Sequence, residues 1–262
     1  MADGRGEPLL SVERSIEVLE LFTSRRTTLS LAEMQELLPW PRTTLHRYAH
    51  SLRHTGMLSY DTRAGRYRLG PKLVRLGTAA LNGLPLAELA GPYLEELVRL
   101  THVTALLTIW DGDAPLVIRE NDNTDQLVSL KIREGSHLPA YDSAAGQVFL
   151  AFSPAARERP VRADLPAAAL AERERTLTAV RDDGLAYTEV LPGLRAFAAP
   201  VFQADELVGA ISILGTVSQL PEPGRSAPTE HLLDICRRLT AALGAGMPGD
   251  RTDDVPEPPA EE

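Results

Sequence analysis

The first part of the chain repeats apolar residues at helical spacing in three successive segments. Apolar side chains recur every three or four residues between Leu9 and Ser24, which predicts an amphipathic helix. Ser30 and Glu33 have the spacing of a capping box, so a short second helix should follow them. A third helix is predicted from Arg42 to Thr55, because a proline precedes it and Gly56 provides a C-terminal stop.

Two short strand-like runs come next, at Met57–Tyr60 and Arg66–Leu69, on either side of a turn rich in Asp, Thr and Gly. Three helices followed by a hairpin are the elements of a winged helix-turn-helix, which we assign to residues 8–70. A proline at position 71 can open a linker helix, and the Gly-Leu-Pro sequence at 83–85 breaks it. The linker is therefore assigned to residues 71–85.

The rest of the chain mixes strand-like and helical patterns. Because hairpin-linked strands alternate with helices, we expect an antiparallel α+β domain over residues 86–246, not a doubly wound parallel sheet. The tail at 247–262 is acidic and rich in proline, a composition typical of disorder. The predicted strands are Val103–Trp110, Pro115–Arg119, Leu127–Ile132, Arg195–Phe202 and Leu207–Leu214, and the predicted helices are Leu86–Leu100, Ser143–Phe152, Ala167–Asp183 and Thr229–Ala245.

Composition narrows the class of protein. The 262 residues are 44% hydrophobic and 24% charged, which is ordinary globular usage. No apolar run is long enough to span a membrane, and the charged N-terminus has no apolar core of a signal peptide. The only cysteine, Cys236, excludes an internal disulfide and a cysteine-rich metal site. These numbers predict a cytoplasmic protein without a cofactor or a membrane partner.

The net charge of −9 conceals a basic segment. Residues 1–80 have a balance of +4, whereas the remainder has a balance of −13. Between Trp40 and Arg75 there are eight basic residues and one acidic residue. A basic patch on an acidic chain suggests a polyanion-binding surface, although a solvated basic face would look the same.

The third predicted helix has residues suited to DNA on its open side. The second helix of a helix-turn-helix enters the major groove, where arginine can bond guanine and threonine can contact thymine or phosphate. The wing can follow the neighbouring phosphate backbone. The predicted contacts to double-stranded operator DNA are Arg42, Thr43, Thr44, His46, Arg47, His50 and Arg53 on the helix, and Arg63, Arg66 and Arg68 on the wing.

At several ordered motifs the sequence resembles the IclR family of bacterial transcriptional regulators. The resemblance extends over roughly Leu9 to Ala245. Its motifs are the segments 11–15 (SVERS), 29–33 (LSLAE), 41–47 (PRTTLHR), 65–70 (GRYRLG), 138–147 (LPAYDSAAGQ), 192–201 (PGLRAFAAPV) and 209–213 (GAISI). The resemblance implies a homodimer or a dimer of dimers on palindromic operators, a GAF-like C-terminal domain, and a small organic effector. It also implies that segment 138–147 opens the effector pocket.

The pocket residues depart from the family pattern at several positions. The family usually has histidine near Tyr141, lysine at Gln147, a cysteine at Ala196 and a serine at Leu214, and Glu189 is the remnant of an acidic stretch. These changes favour a larger and more apolar effector, such as an aromatic or medium-chain acid or a neutral natural product, over a small keto acid. The bulk of Phe149 and Phe197 is expected nearby.

A physical argument supports a ligand at the helix that begins near Ser143. The amides of Ala144, Ala145 and Gly146 would lack helical acceptors, which favours an anion, and Gly146 would allow close approach to the backbone. The alternative is that Ser143 caps its own helix and leaves nothing for a ligand. The predicted effector contacts are Tyr141, Ser143, Ala144, Ala145, Gly146, Glu189, Ala196, Ser212 and Leu214.

Other patterns carry less weight. His46, His50 and His54 have metal-ligand spacing, but no carboxylate or cysteine joins them. The glycine-rich string at 244–249 follows a helix and contains a proline, so it does not predict a dinucleotide site. Cys236 lies in an apolar helical stripe, which predicts a small core residue.

Three hypotheses remain at this point. The first is a one-component transcription factor whose effector changes the spacing of two recognition helices. The second is an enzyme with a DNA-binding appendage, although no group of acid, base and nucleophile is visible in the sequence. The third is a dimeric DNA-binding regulator whose C-terminal domain is degenerate and binds no ligand.

Overall fold

The computed structural model describes residues 9–23, 25–122, 132–157, 167–221, 224 and 226–244. The chain divides after Gly83 into an N-terminal unit and a C-terminal unit, each compact. Among the described residues, no helix combines the length and the apolar character needed to cross a bilayer.

The described residues of the N-terminal unit form four helices and a three-stranded antiparallel sheet in the order β1-β3-β2. The first three helices and the β2–β3 hairpin form the predicted winged helix-turn-helix. The elements are α1 (Leu10–Glu20), β1 (Thr28–Leu29), α2 (Leu31–Leu37), α3 (Arg42–His54), β2 (Leu58–Asp61), β3 (Arg66–Leu69) and α4 (Pro71–Asn82).

Local signals in the sequence determine where these helices begin and end. Ser30 Oγ accepts from the amide of Glu33 at 3.3 Å while the Glu33 carboxylate accepts from the amide of Ser30 at 2.7 Å, so the capping box is complete. After α3, Gly56 takes a φ of +78°, which favours glycine. The amide of Met57 then donates to Leu52 O at 2.9 Å, as in a Schellman motif.

The capping glutamate also fixes the wing. The guanidinium of Arg66 on β3 donates to Glu33 Oε1 at 2.9 Å and to Thr28 Oγ1 at 3.1 Å. Hydrogen bonds from Ser30, together with the bond and charge of Arg66, lower the pKa of Glu33 from 4.5 to about 2. One carboxylate therefore caps α2 and attaches the hairpin to it.

In the part of the C-terminal unit that the structure describes, five antiparallel strands form a sheet in the order β5-β4-β8-β7-β6 with helices on both faces. This is the predicted α+β architecture. Its elements are α5 (Pro85–Thr101), β4 (Thr104–Trp110), β5 (Pro115–Asn121), α6 (Ala144–Phe152), α7 (Pro154–Arg157), α8 (Ala167–Asp183), β6 (Ala186–Leu191), β7 (Leu194–Gln203), β8 (Glu206–Thr216) and α9 (Ala227–Gly244).

The sheet separates two apolar cores. Phe197 and Ile211 point to the face covered by α5 and α9, whereas Ala196, Ala198 and Leu214 point to the face covered by α6 and α8. The expectation that Phe197 adds bulk beside the effector pocket is therefore wrong, because Phe197 lies on the opposite side of the sheet from α6. Phe149 does lie in the α6 core.

The remaining comparisons with the sequence concern strand β6, the undescribed segments and Cys236. Strand β6 was not predicted, since its six residues alternate weakly between apolar and polar. Most of the predicted strand Leu127–Ile132 and all of the tail at 247–262 lie outside the described residues. Cys236 lies on the buried side of α9, where its thiol donates to Ala199 O at 3.7 Å and burial raises its pKa. It is a core residue, as predicted.

The shared role of Glu33 predicts an acid-sensitive N-terminal unit. A carboxylate whose pKa is lowered in the folded state stabilises that state above its ordinary value of 4.5, and the stabilisation is lost as the pH falls toward 2. Glu33→Gln keeps a capping side chain but loses the charge, so it should unfold more easily at pH 7 and should show a flatter dependence on pH between about 5 and 2.

The measurement is thermal unfolding followed by Trp40 fluorescence in a Trp110→Phe background, because Trp40 belongs to the N-terminal unit. Glu36→Gln on the same helix is the matched control, since Glu36 is exposed. Equal pH profiles for Glu33→Gln and the parent would contradict the assignment.

Candidate nucleic-acid interface and candidate ligand cavity

Helix α3 presents one apolar and one polar side. Its buried stripe is Leu45, Ala49 and Leu52, and the residues between them face solvent apart from Tyr48, which packs against the core. Of the predicted DNA contacts on this helix, all are exposed apart from Thr44, which is half-buried: Arg42, Thr43, His46, Arg47, His50 and Arg53. The spacing therefore gives a continuous polar surface along the outside of α3.

Aromatic packing holds the start of α3. Trp40, in the turn between α2 and α3, packs on Tyr48 with ring centroids 5.6 Å apart. The guanidinium of Arg14 on α1 lies 5.5 Å from the centre of the Trp40 ring. The helix N-terminus has no side-chain cap, since Pro41 occupies the capping position. The turn is thus fixed by stacking, and the first amides of α3 stay available to an anion.

The wing arginines are not equivalent. Arg63 in the turn and Arg68 on β3 are exposed. Arg66 bonds to Glu33 and Thr28, so part of its hydrogen-bonding capacity is used in anchoring the wing to α2. Arg53 at the end of α3 lies 5.7 Å from the centre of the Tyr60 ring, which ties the helix to β2.

The histidines of α3 form no metal site within the described part of the chain. The rings of His46 and His50 stack with centroids 6.5 Å apart. No group of three or more His, Cys, Asp or Glu side chains is placed to hold a metal ion among the described residues. Both histidines belong to the polar surface of α3.

A cavity of about 390 Å³ lies in the C-terminal unit between the sheet and the start of α6. It is lined by Leu106, Ile132, Leu138, Pro139, Tyr141, Asp142, Ser143, Ala144, Ala145, Gln147, Thr188, Glu189, Val190, Ala196, Ser212 and Leu214. Every predicted effector contact except Gly146 is among these residues. Strands β6, β7 and β8 and helix α6 thus bring together positions that are far apart in the sequence.

Gly146 allows α6 to pack closely against the segment that precedes it. A Cβ atom at this position would lie 2.1 Å from Ala140 O and 2.7 Å from Pro139 O. The expected approach of a ligand to Gly146 is therefore wrong, because the backbone of residues 139–140 occupies that side. The absence of a side chain lets α6 lie against the segment that leads into it.

Ser143 caps α6, as the alternative interpretation required. Its hydroxyl donates to Pro139 O at 2.6 Å and accepts from the amide of Gly146 at 3.0 Å. Only the first amides of the helix, at Ala144 and Ala145, stay available for a ligand. Ser143 therefore forms part of the cavity wall, while its hydroxyl is used in capping α6.

Two buried polar atoms of the cavity lining have no hydrogen-bond partner among the described residues, Ser212 Oγ and Gln147 Oε1. Ser212 is 3% exposed and lies on β8, whereas Gln147 lies in the first turn of α6. Buried polar groups in proteins are nearly always paired with protein or water, so these two atoms are available to a polar ligand or to a water molecule. The lining is otherwise mainly apolar.

Sequence reasoning missed several lining residues. Thr188 and Val190 belong to the unpredicted strand β6, and Thr188 Oγ1 donates to Asp142 O at 3.1 Å. Leu106 lies on β4, where it pairs with Ser212. Residues two apart on a strand share a face, so a correct β6 would have placed Thr188 and Val190 on one side of the sheet.

Comparisons with known proteins agree with both halves of this geometry. Residues 11–62 match the family model described as the IclR helix-turn-helix domain. Residues 78–241 match the model described as the bacterial transcriptional regulator IclR C-terminal domain. A Pca regulon regulatory protein of Pseudomonas putida is 31% identical over 256 residues, which cover 89% of this chain and 86% of the relative.

Solved structures share the fold. An IclR transcriptional regulator from Alicyclobacillus acidocaldarius has a TM-score of 0.74 and 26% identity, with 91% of this chain and 98% of that chain covered. An IclR homolog from Microbacterium hydrocarbonoxydans, solved in complex with 4-hydroxybenzoate, has a TM-score of 0.73 and 21% identity, with 90% and 100% covered. At 21% identity the second similarity shows the fold alone.

Proposed function

The chain belongs to the IclR family of bacterial transcriptional regulators, and we propose that it binds palindromic operators as a homodimer or a dimer of dimers under the control of a small organic effector. The cavity beside α6, with two unpaired polar atoms in its wall, is the observation that carries the effector part of this proposal. The site of action is the bacterial cytoplasm, where the DNA is.

The DNA-binding surface is assigned to the outer side of α3 and to the exposed wing arginines. Arg42 and Arg47 are exposed among threonine and histidine side chains, the residue types that read base edges and phosphates. Arg63 and Arg68 supply positive charge from the wing. Arg66 is left out of the surface, because its guanidinium is bonded to Glu33.

This assignment predicts a specific effect of Arg47→Ala. If Arg47 bonds a base, its loss should weaken binding to the specific operator by about 1–3 kcal/mol. Binding to DNA of random sequence should weaken much less. Arg63→Ala should weaken binding to both DNAs by a similar amount. It should also reduce the slope of the logarithm of the binding constant against the logarithm of salt concentration. Fluorescence anisotropy at several salt concentrations measures both quantities.

Arg99→Ala is the charge-matched control, because Arg99 is exposed on α5 in the C-terminal unit. Unchanged operator affinity in an Arg42→Ala, Arg47→Ala double variant would refute the assignment of α3.

The dimer is proposed to form through the linker helix α4. None of its residues is buried, and Val74, Leu76 and Leu81 are 71%, 42% and 40% exposed. Exposed apolar residues on α1, at Leu10, Val12 and Ile16, extend the apolar surface of this unit. A second copy of the chain is the natural occupant, since a palindromic operator requires two recognition helices related by a twofold axis.

Val74→Asp should therefore shift the protein toward monomer and lower operator affinity at a fixed protein concentration, because a charge would enter the dimer interface. Light scattering at micromolar concentration measures the mass, with 28.5 kDa expected for one chain. Gln35→Glu adds the same charge at an exposed position of α2, outside the linker helix, and should leave the dimer intact. A wild-type protein that is monomeric with and without operator would refute the proposed dimer.

The effector is proposed to be larger and more apolar than a two- or three-carbon keto acid. Leu214 and Ala196 line the cavity with hydrocarbon, so the polar groups of a small keto acid would lack partners there. Each unpaired buried group costs about 1–3 kcal/mol. A ring or a chain that fills the apolar part and pairs with Ser212 or Gln147 fits this lining better.

We expect calorimetry of the full chain to give at least tenfold tighter binding of 4-hydroxybenzoate than of pyruvate or glyoxylate. Leu214→Ser should narrow this ratio by adding a hydroxyl to the wall, and Leu170→Ser on the exposed face of α8 is the control. Tight pyruvate binding that Leu214→Ser leaves unchanged would contradict the predicted effector class. Absence of heat and of thermal stabilisation for all three acids would favour the ligand-free regulator.

A further inference from the structure

One cation contacts the wall of the cavity from outside. The guanidinium of Arg173, on α8, lies 4.4 Å from the centre of the Tyr141 ring, and Tyr141 lines the cavity. Its second nitrogen, NH2, is 3.8 Å from Asp142 Oδ1. Arg173 therefore covers two successive residues of the segment that leads into α6.

The position of Arg173 is fixed by the packing of α8. Leu177 and Val180 of α8 are buried in the same apolar core as α6. Arg181 Nε donates to Ala151 O at 3.0 Å, which joins the C-terminal half of α8 to α6. The side chain of Arg173 is only 28% exposed, so it cannot move freely into solvent.

Two exposed acidic residues belong to the cavity lining, and Arg173 is the cation that lies beside one of them. These residues are Asp142 and Glu189, and no Lys, Arg or His is among the lining residues that the structure describes. Glu189 Oε1 accepts from the amide of Gly193 at 3.2 Å, which disperses part of its charge. Asp142 faces Arg173. Without Arg173, an acidic ligand would meet two carboxylates with no cation beside them.

The guanidinium has unused hydrogen-bonding capacity. Arg173 NH1 is buried and has no partner among the described residues. A buried N–H group without an acceptor is costly and seldom retained in a folded protein unless another group pairs with it. Stacking on Tyr141 satisfies the face of the guanidinium but not this edge.

We propose that Arg173 is the specificity-determining residue that lets the cavity accept an acidic effector in preference to its neutral isostere. This inference rests on the proposed effector function and deepens it. Arg173 acts through charge from behind Tyr141, so it favours a carboxylate without adding polar surface to the apolar wall. It also opposes the negative charge of Asp142, whose carboxylate lies 3.8 Å away.

The test compares 4-hydroxybenzoate with 4-hydroxybenzamide, which has nearly the same shape and no charge at pH 7.5. Calorimetry on the full-length protein gives the affinity ratio of acid to amide. Arg173→Gln should lower this ratio roughly three- to tenfold, as expected for removal of one charge at short range. Binding of the amide should change little.

Three further variants exclude a general effect of charge or packing. Arg175→Gln removes the same charge from an exposed position two residues away and should leave the ratio unchanged. Arg173→Lys keeps the charge and should keep most of the ratio. Asp142→Asn in the Arg173→Gln background should restore acid binding, because it removes the carboxylate that Arg173 balances.

An equal loss of acid and amide binding in Arg173→Gln would overturn the inference, since it would show a packing role. An equal effect of Arg175→Gln would overturn it as well, since it would show a long-range field. If neither probe binds or stabilises the wild-type protein, the proposed effector function fails and this inference fails with it. That result differs from the first two, in which wild-type binding is normal.

Discussion

The alternation of side chains along β7 and β8 is the constraint on which the C-terminal unit depends. Because neighbouring residues of a strand point to opposite faces, each strand must supply two cores at once. The face toward α5 and α9 receives Phe197, Ile211 and Ile213, which fill it. The face toward α6 receives smaller residues at Ala198, Ala210 and Ser212, together with Ala196 and Leu214.

This division explains why the cavity lies beside α6. Small side chains on the sheet leave space that α6 cannot fill, since Gly146 and the Ser143 cap already hold that helix against residues 139–140. Both faces carry a packed core, and the face toward α6 also leaves space for a ligand. A larger residue at Ala196 would fill part of the cavity without entering the opposite core.

The sequence predicted the N-terminal unit better than the cavity because local signals determine helices and turns. Ser30, Glu33 and Gly56 act within a few residues of themselves, so their roles could be read directly from the sequence. The contact of Arg66 with Glu33 could not be predicted in this way, because the two residues lie 33 positions apart along the chain. Strand β6 also escaped prediction: its pairing with β7, not its own alternation, makes it a strand.

The resemblance to the IclR family identified which residues lie at the cavity wall, and the structure then showed what each of them contacts. Ser143, Gly146 and Ser212 all belong to motifs shared with the IclR family, yet the first caps a helix and the second permits close packing. Ser212 alone of the three has an unpaired buried oxygen. A motif shows which residues are close together, whereas hydrogen bonds show which of them stay available.

The two unpaired atoms of the cavity lie on different elements, and this matters for regulation. Ser212 is part of the sheet, whereas Gln147 is part of α6. A ligand that bonds both would join the helix to the sheet and would favour the arrangement in which both atoms face it. A regulator responds to its effector only when the effector binds one conformation better than another. Pairing across two elements provides such a preference, whereas pairing with either element alone would leave their separation unconstrained.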